Sequence, residues 1–192
     1  MTRAPAASLL AELEHRGALE SGHFRLSSGR HADRFVQKFR LLEDPVLVER
    51  VARELAAAAQ PLAPTVVVSA AVGGIILGYE LARQLGTLAI FIEKEQGVPT
   101  LRRGFALGAG DRAYVVEDVV TTGGSVREVI DLVRARGAAV VGAGVVVRRA
   151  PVELGVPTVA LLDLPLASYD PAACPLCAAH QPLTEPGSRF LR

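Results

Sequence analysis

The sequence predicts an α/β fold, a central and mostly parallel sheet flanked by helices. Three observations carry that prediction. Short runs of β-branched and aliphatic residues recur along the chain. Amphipathic helical patterns stand between several of them. Glycines close those helices, so strand and helix alternate as they do in βαβ units around a buried parallel sheet.

The elements follow in order. Leu9, Leu10 and Leu13 form a short apolar stripe near the start. Residues 18–34 carry Gly22, Gly29 and alternating polar groups, which suggests a turn or hairpin. A helix is expected over about 45–59, with Pro45 at its first position and Leu47, Val48, Val51 and Leu55 on one face. Val66–Val68 is the first β-branched run. Gly73 and Gly74 follow it, then a helix over Ile75–Leu85 that ends at Gly86. Further strands are expected at Leu88–Ile92, Ala113–Val116, Ala139–Val147 and Val159–Leu164. A helix over Val126–Arg136 has Val126, Val129, Ile130 and Val133 on one side and Gly137 as its stop. In such sheets ligands bind beyond the carboxyl ends of the strands.

Composition narrows the function classes. Half of the 192 residues are hydrophobic and 21% are charged, which supplies a core and argues against disorder. The length fits one domain over 1–192. A formal charge of +1 gives no basic field for nucleic acid. The N-terminal stretch has no sustained apolar core and does not read as a signal peptide. The longest apolar stretch, Val66–Leu77, is too short to span a bilayer, so a cytoplasmic protein with no membrane partner is expected.

Cys174 and Cys177 form a CPLC pair in a Pro-rich tail, not at a strand-to-helix junction where a redox pair would sit. Unligated thiols, a zinc site (within one chain or shared across a dimer) and a disulfide all remain open for them. A structural zinc needs about four ligands, and only His180 is nearby in sequence. His15, His23, His31 and His180 show no metal-ligand spacing, so none is assigned a ligand role.

The segment with chemistry is Glu117-Asp118-Val119-Val120-Thr121-Thr122-Gly123-Gly124-Ser125. A strand ends in two adjacent carboxylates, a run of hydroxyls and glycines follows, and a helix begins. Ser125 and Glu128 have capping-box spacing. Helix N-termini hold anions through free N–H groups and the macrodipole, and glycines let a phosphate come close. Carboxylates repel phosphate but accept hydrogen bonds from vicinal sugar hydroxyls. One loop therefore suits a phosphorylated ribose. A Walker A motif is absent, and Gly108-Ala109-Gly110 lacks the third glycine of a dinucleotide fingerprint.

Over Ala113–Ser125 the chain resembles the type I phosphoribosyltransferases, whose hallmark is four hydrophobic residues, two acids and a small-residue run. Within them it is similar to the orotate-specific members. Segment 23–30 (HFRLSSGR) is similar to their base-covering N-terminal segment, Ser69–Gly74 to their pyrophosphate loop and Glu93–Glu95 to the start of their mobile catalytic loop. The resemblance implies a hood over about 1–40, a core over about 41–165 and a tail over 166–192. It implies transfer of a phosphoribosyl group from phosphoribosyl pyrophosphate to orotate in pyrimidine synthesis, with Mg²⁺ brought in by the substrate and no metal held by the protein alone. It also implies a homodimer with shared sites.

The same resemblance implies residue roles. Glu117 and Asp118 would hold the ribose hydroxyls, and Thr121–Ser125 the 5′-phosphate, with Val119 and Val120 in the same binding segment. Thr121 and Arg149 would meet orotate, Arg149 through its carboxylate. Lys94 and Arg102 would neutralise the departing pyrophosphate, with Asp118 also in the catalytic set. The chain departs from the family where Val72-Gly73 replaces a basic residue and where a short Gln96–Arg103 segment replaces a longer basic loop, leaving Arg103 as a rival to Arg102. Arg148 should alternate to the face opposite Arg149. Two other readings stand beside this one: a purine phosphoribosyltransferase, and a regulator that senses the sugar pyrophosphate without catalysis.

Overall fold

A computed structural model describes residues 6–26 and 28–186; Ser27, part of the segment similar to the base-covering region, lies outside the described residues. Helix α1 (Ala6–His15) leads into an antiparallel hairpin of β1 (Leu19–Arg25) and β2 (His31–Val36). A five-residue helix α2 (Lys38–Leu42) and the long α3 (Pro45–Ala59) follow. Asp44 starts α3 by accepting from the amides of Val46 and Leu47 at 2.8 and 3.3 Å, with Pro45 in the first turn, where no N–H is needed.

The chain from Val66 to Asp163 builds the main sheet from β3 (Val66–Ala70), β4 (Leu88–Glu95), β5 (Val98–Leu101), β6 (Arg112–Val120), β7 (Ala139–Arg148) and β8 (Thr158–Asp163). Their spatial order is β5-β4-β3-β6-β7-β8, and every neighbouring pair is parallel except β4–β5. Helix α4 (Gly73–Leu85) crosses from β3 to β4, and α5 (Gly124–Ala135) from β6 to β7. The expected mostly parallel sheet between helices is therefore present. Its strands carry apolar residues to two separate cores. Val67, Tyr114, Val116 and Val146 pack with α1, α3 and α4, whereas Val66, Val68, Val115 and Val145 pack with α5. This double burial explains the unbroken apolar runs.

The chain leaves β3 toward β4 on one side and returns as β6 on the other, so the order of strands reverses between β3 and β6. In open α/β sheets that reversal leaves a crevice at the carboxyl ends of the two strands. Pairing of β3 with β6 stops at Ser69↔Val116, while β6 runs on to Val120. Glu117 and Asp118 therefore stand just past the last residue that β3 covers.

Three features differ from the sequence reading. Val98–Leu101 is a strand, joined to β4 through Gln96 (φ 50°) and Gly97 (φ 85°); consecutive positive φ values match a tight hairpin turn. Helix α5 begins at Gly124 with Gly123 as N-cap and no side-chain cap, so the capping box anticipated from Ser125 and Glu128 does not form. Glu128 pairs instead with Lys94, at 2.7 Å. Lastly, the tail folds back onto the β1–β2 hairpin. Backbone bonds join Arg25 N to Thr184 O (2.9 Å), Thr184 N to His23 O (2.8 Å), and His31 with Tyr169 in both directions. A short helix α6 (Pro175–Ala178) then brings Cys174 and Cys177 to His23 and His31, whose ligand atoms all lie within 4.8 Å of one another. The expectation that the histidines form no ligand cluster is overturned. Local spacing missed it because the partners are roughly 150 residues apart, and His180, the sequence neighbour, is not among them.

Candidate functional site

The site is built on the crevice between β3 and β6. Two carboxylates dominate it. Glu117 is 7% exposed and Asp118 only 2%. Each accepts from the amide of the next residue: Asp118 N donates to Glu117 Oε1 at 3.2 Å and Val119 N to Asp118 Oδ1 at 2.6 Å. The nearest cation is Lys38, at the start of α2, whose Nζ lies 3.1 Å from Asp118 Oδ2 and 3.4 Å from Oδ1. Its approach to Oδ2 is an ion pair without hydrogen-bond alignment, and Oδ2 has no donor among the described residues. Two adjacent buried acids with one half-exposed ammonium are not fully neutralised. Burial pushes the Glu117 carboxyl up to about 8, the neighbouring Asp118 charge adds to the rise, and Lys38 opposes it.

The first turn of α4 presses against this pair. A Cβ on Gly73 would sit 2.0 Å from Asp118 Oδ2 and 2.8 Å from Lys38 Nζ. A Cβ on Gly74 would come within 2.9 Å of Ser69 Cβ. The segment Ser69–Gly74 thus brings bare backbone against the acids, which only glycine permits.

Beyond the acids the chain turns into α5. Gly123 adopts φ 79°, and a Cβ there would meet Val152 Cγ1 at 2.5 Å. Thr121, Thr122, Gly124 and Ser125 are exposed around the uncapped first turn, which leaves hydroxyls and free amides facing solvent. Arg127 braces the loop, donating to Thr122 O at 2.7 Å and Glu153 O at 3.0 Å. Val120 is buried in the core under α5 and Val119 packs toward the opposite core, so these two offer a ligand backbone only.

Arg149 follows β7 and its amide donates to Val120 O at 2.8 Å, which sets it beside the same loop. Its Nε is buried without an acceptor among the described residues, and burial lowers the guanidinium below its usual range. A half-buried guanidinium with an unmet N–H suits an anion from outside. Arg148 points elsewhere, in a two-bond pair with Asp163 at 2.5 and 2.9 Å, as strand alternation requires.

Lys94, Glu93, Ser125 and Glu128 line a cavity of about 320 Å³ together with the Ala70–Val72 backbone. Lys94 is held there by Glu128. Arg103 is fixed by two 2.9 Å bonds to Glu93, whereas Arg102 has one looser contact, 3.6 Å to Glu95; neither arginine lines this cavity. The structure thus brings Glu117–Ser125, Arg149 and Lys94 around one crevice end and leaves Arg102 on the hairpin beside it. Sequence reasoning missed Lys38. Its one available signal was rarity: Lys38 and Lys94 are the two lysines among 21 basic residues.

Comparisons with known proteins bear on the family and the fold. A family model described as "Phosphoribosyl transferase domain" matches residues 42–154. The orotate phosphoribosyltransferase of Pelotomaculum thermopropionicum is 50% identical over 183 residues, covering 94% of this chain and 96% of its own. That of Thermotoga maritima is 49% identical over 182 residues, covering 94% and 97%. Among solved structures, orotate phosphoribosyltransferase from Aeropyrum pernix superimposes with a TM-score of 0.70 at 30% identity, covering 80% of this chain and 92% of that one. The Mycobacterium tuberculosis enzyme gives 0.68 at 28% identity, covering 82% and 96%.

Two substitutions test the site's electrostatics and packing. The folded protein keeps a proton on Glu117 that the unfolded chain releases, so this group's contribution to stability falls as pH rises from about 4.5 to about 8. Glu117→Gln removes that slope. Its melting temperature relative to the unsubstituted protein should climb across that window and level off above it. Gly73→Ala forces a methyl into Asp118, and denaturant unfolding should show a loss of roughly 1–3 kcal/mol.

Proposed function

The chain belongs to the phosphoribosyltransferase family, among its orotate phosphoribosyltransferases, and on that premise we propose how its residues divide the transfer of a phosphoribosyl group to orotate. One observation carries the reading: two buried acids at the open end of β6 run directly into an uncapped helix start. The acids accept from the ribose 2- and 3-hydroxyls, and the Thr121–Ser125 turn takes the 5′-phosphate on its amides and hydroxyls. Thr121, between the two, also borders the base. The sugar is gripped at two points, so its anomeric carbon is held in one orientation.

Arg149 meets the orotate carboxylate, which supplies the acceptor that its buried Nε lacks. That contact favours orotate over a neutral purine or uracil. In the reaction the anomeric C–O bond to pyrophosphate breaks and a bond to orotate N1 forms. N1 gives up its proton to solvent, and the electron pair of the broken bond leaves with pyrophosphate. Positive charge builds on the ring in an oxocarbenium-like transition state, and the ionised form of the acid pair stabilises it. Lys94 exchanges Glu128 for the departing pyrophosphate, with Arg102 on the hairpin as the second cation. Arg102 is the better candidate than Arg103 because its single ion contact is the weaker one.

Magnesium fits this oxygen-rich end of the crevice: Asp118 Oδ2 lacks a hydrogen-bond donor, and a hard cation takes carboxylate and phosphate oxygens. Bound mainly through the substrate's phosphates, with Glu117 and Asp118 nearby, it would offset charge on the leaving group.

The partners are phosphoribosyl pyrophosphate, orotate and a second copy of the chain. Val72, Ile76 and Tyr79 form an exposed apolar stripe along the start of α4, beside the crevice, and a homodimer would cover it. No helix among the described residues is long and apolar enough to cross a membrane. A cytoplasmic location suits two cysteines that are not joined in a disulfide.

The test is turnover. Purified protein with phosphoribosyl pyrophosphate, Mg²⁺ and orotate should deplete orotate absorbance, with no turnover of adenine, hypoxanthine or uracil. Arg149→Ala should raise KM for orotate roughly 10- to 100-fold while leaving KM for the sugar pyrophosphate near its original value. An unchanged orotate KM overturns the role of Arg149. Sedimentation should read a dimer, and Tyr79→Glu should shift it to monomer; a monomer before substitution overturns the assembly.

A further inference from the structure

We propose that His23, His31, Cys174 and Cys177 bind one structural zinc ion that clamps the N-terminal hairpin to the C-terminal tail. The four ligand atoms converge. His23 Nε2 lies 2.9 Å from His31 Nδ1, Cys177 Sγ 3.3 Å from His31 Nδ1, and Cys174 Sγ and Cys177 Sγ 3.6 and 3.7 Å from His23 Nε2. Zinc–sulfur and zinc–nitrogen bonds of about 2.3 and 2.0–2.1 Å give tetrahedral edges of about 3.3 Å for N–N, 3.6 Å for N–S and 3.8 Å for S–S. The four quoted separations lie within about 0.4 Å of these edges, two of them on the short side, and all the ligand atoms lie within 4.8 Å of one another. A small rearrangement of the side chains would seat an ion.

The surroundings have the features of a structural site. His23, His31 and Cys174 are buried, at 4%, 7% and 4% exposure, and Cys177 is partly exposed. His23 Nδ1 is 2.9 Å from Gln181 O. A carbonyl only accepts, so Nδ1 carries the proton and Nε2 turns a lone pair into the cluster. This outer hydrogen bond orients metal-binding histidines in general. Cys174 precedes α6 and Cys177 lies within it, so the Cys-x₂-Cys spacing sets both thiols on one side of a short turn. The histidines come from opposite strands of the hairpin, where the register Arg25↔His31 sets His31 close to His23.

Ligand chemistry selects the ion. Two thiolates and two imidazoles in a compact tetrahedron suit zinc, and two softer sulfurs disfavour magnesium or calcium. A two-iron cluster with the same residues is excluded by size, because its ligands flank two irons and two sulfides, whereas these four atoms all lie within 4.8 Å. The protein fills all four positions and leaves none for a reacting water, so the ion holds structure and performs no catalysis. Its task follows from what it joins. Residues 23 and 31 belong to the hairpin, 174 and 177 to the tail, and the backbone pairs at Thr184 and Tyr169 flank the site on either side. The ion completes a seam between the two ends of the chain.

The full-length protein, expressed with zinc in the medium and dialysed without chelator, tests this by elemental analysis. About one equivalent of zinc per chain is expected. Both thiols should resist a thiol reagent until a strong chelator is added. Cobalt added to the stripped protein should show the visible bands of a tetrahedral thiolate site. Cys177→Ser, the least buried ligand, should lower retained zinc at least tenfold while circular dichroism still reports a folded chain. Folded protein of the original sequence with under roughly a tenth of an equivalent of zinc overturns the proposal. So does a Cys174–Cys177 disulfide in protein kept under reductant, or an iron–sulfur absorbance. The metal content of the unsubstituted protein decides the matter even if the variant fails to fold.

Discussion

Two carboxylates side by side, buried where β6 outruns β3, are the constraint around which the rest of the molecule is arranged. Ionised acids in that position are costly unless something compensates them. The fold compensates in part: each acid takes a backbone amide, and Lys38 reaches across from α2 to Asp118. Burial raises the Glu117 carboxyl so that it holds its proton, and Asp118 Oδ2 has no hydrogen-bond donor among the described residues. Under the proposed function, a sugar diol and a magnesium ion would be the partners of this pair.

The neighbouring parts obey the same constraint. Helix α4 must begin with two glycines, because any side chain at Gly73 would occupy the space of the Asp118 carboxylate. Helix α5 begins without a side-chain cap, which leaves its first amides free of a side-chain acceptor. Arg149 is half-buried, and its Nε has no acceptor among the described residues. The cations of the β4–β5 hairpin are each parked on an acid: Lys94 on Glu128, Arg102 on Glu95 and Arg103 on Glu93. Exposed pairs of this kind are worth little, so they could exchange partners at small cost.

The hairpin and the tail meet through backbone pairs and through the side chains of His23, His31, Cys174 and Cys177. A small hairpin buries too little apolar surface to hold a shape alone; this one also sets Leu19 and Val36 into the core shared with α1, α3 and α4. The proposed zinc would add a cross-link to the tail.

The sequence alone determined the sheet, its helices and the central loop. Periodicity, caps and glycine stops are local, and strands buried on both faces write themselves as continuous apolar runs; thus α3 spans Pro45–Ala59 and α4 ends at Gly86, as read from the residues. The acid pair and the Thr-Gly turn were legible because one short segment carries the whole motif. Tertiary structure alone decided the rest. Lys38 reaches Asp118 across 80 positions, and His23 meets Cys174 across 151. Strand β5 exists because β4 offers it an edge, not because Val98–Leu101 has a strong pattern of its own. Contacts between distant segments depend on how helices and strands pack, and no spacing rule along the chain encodes that.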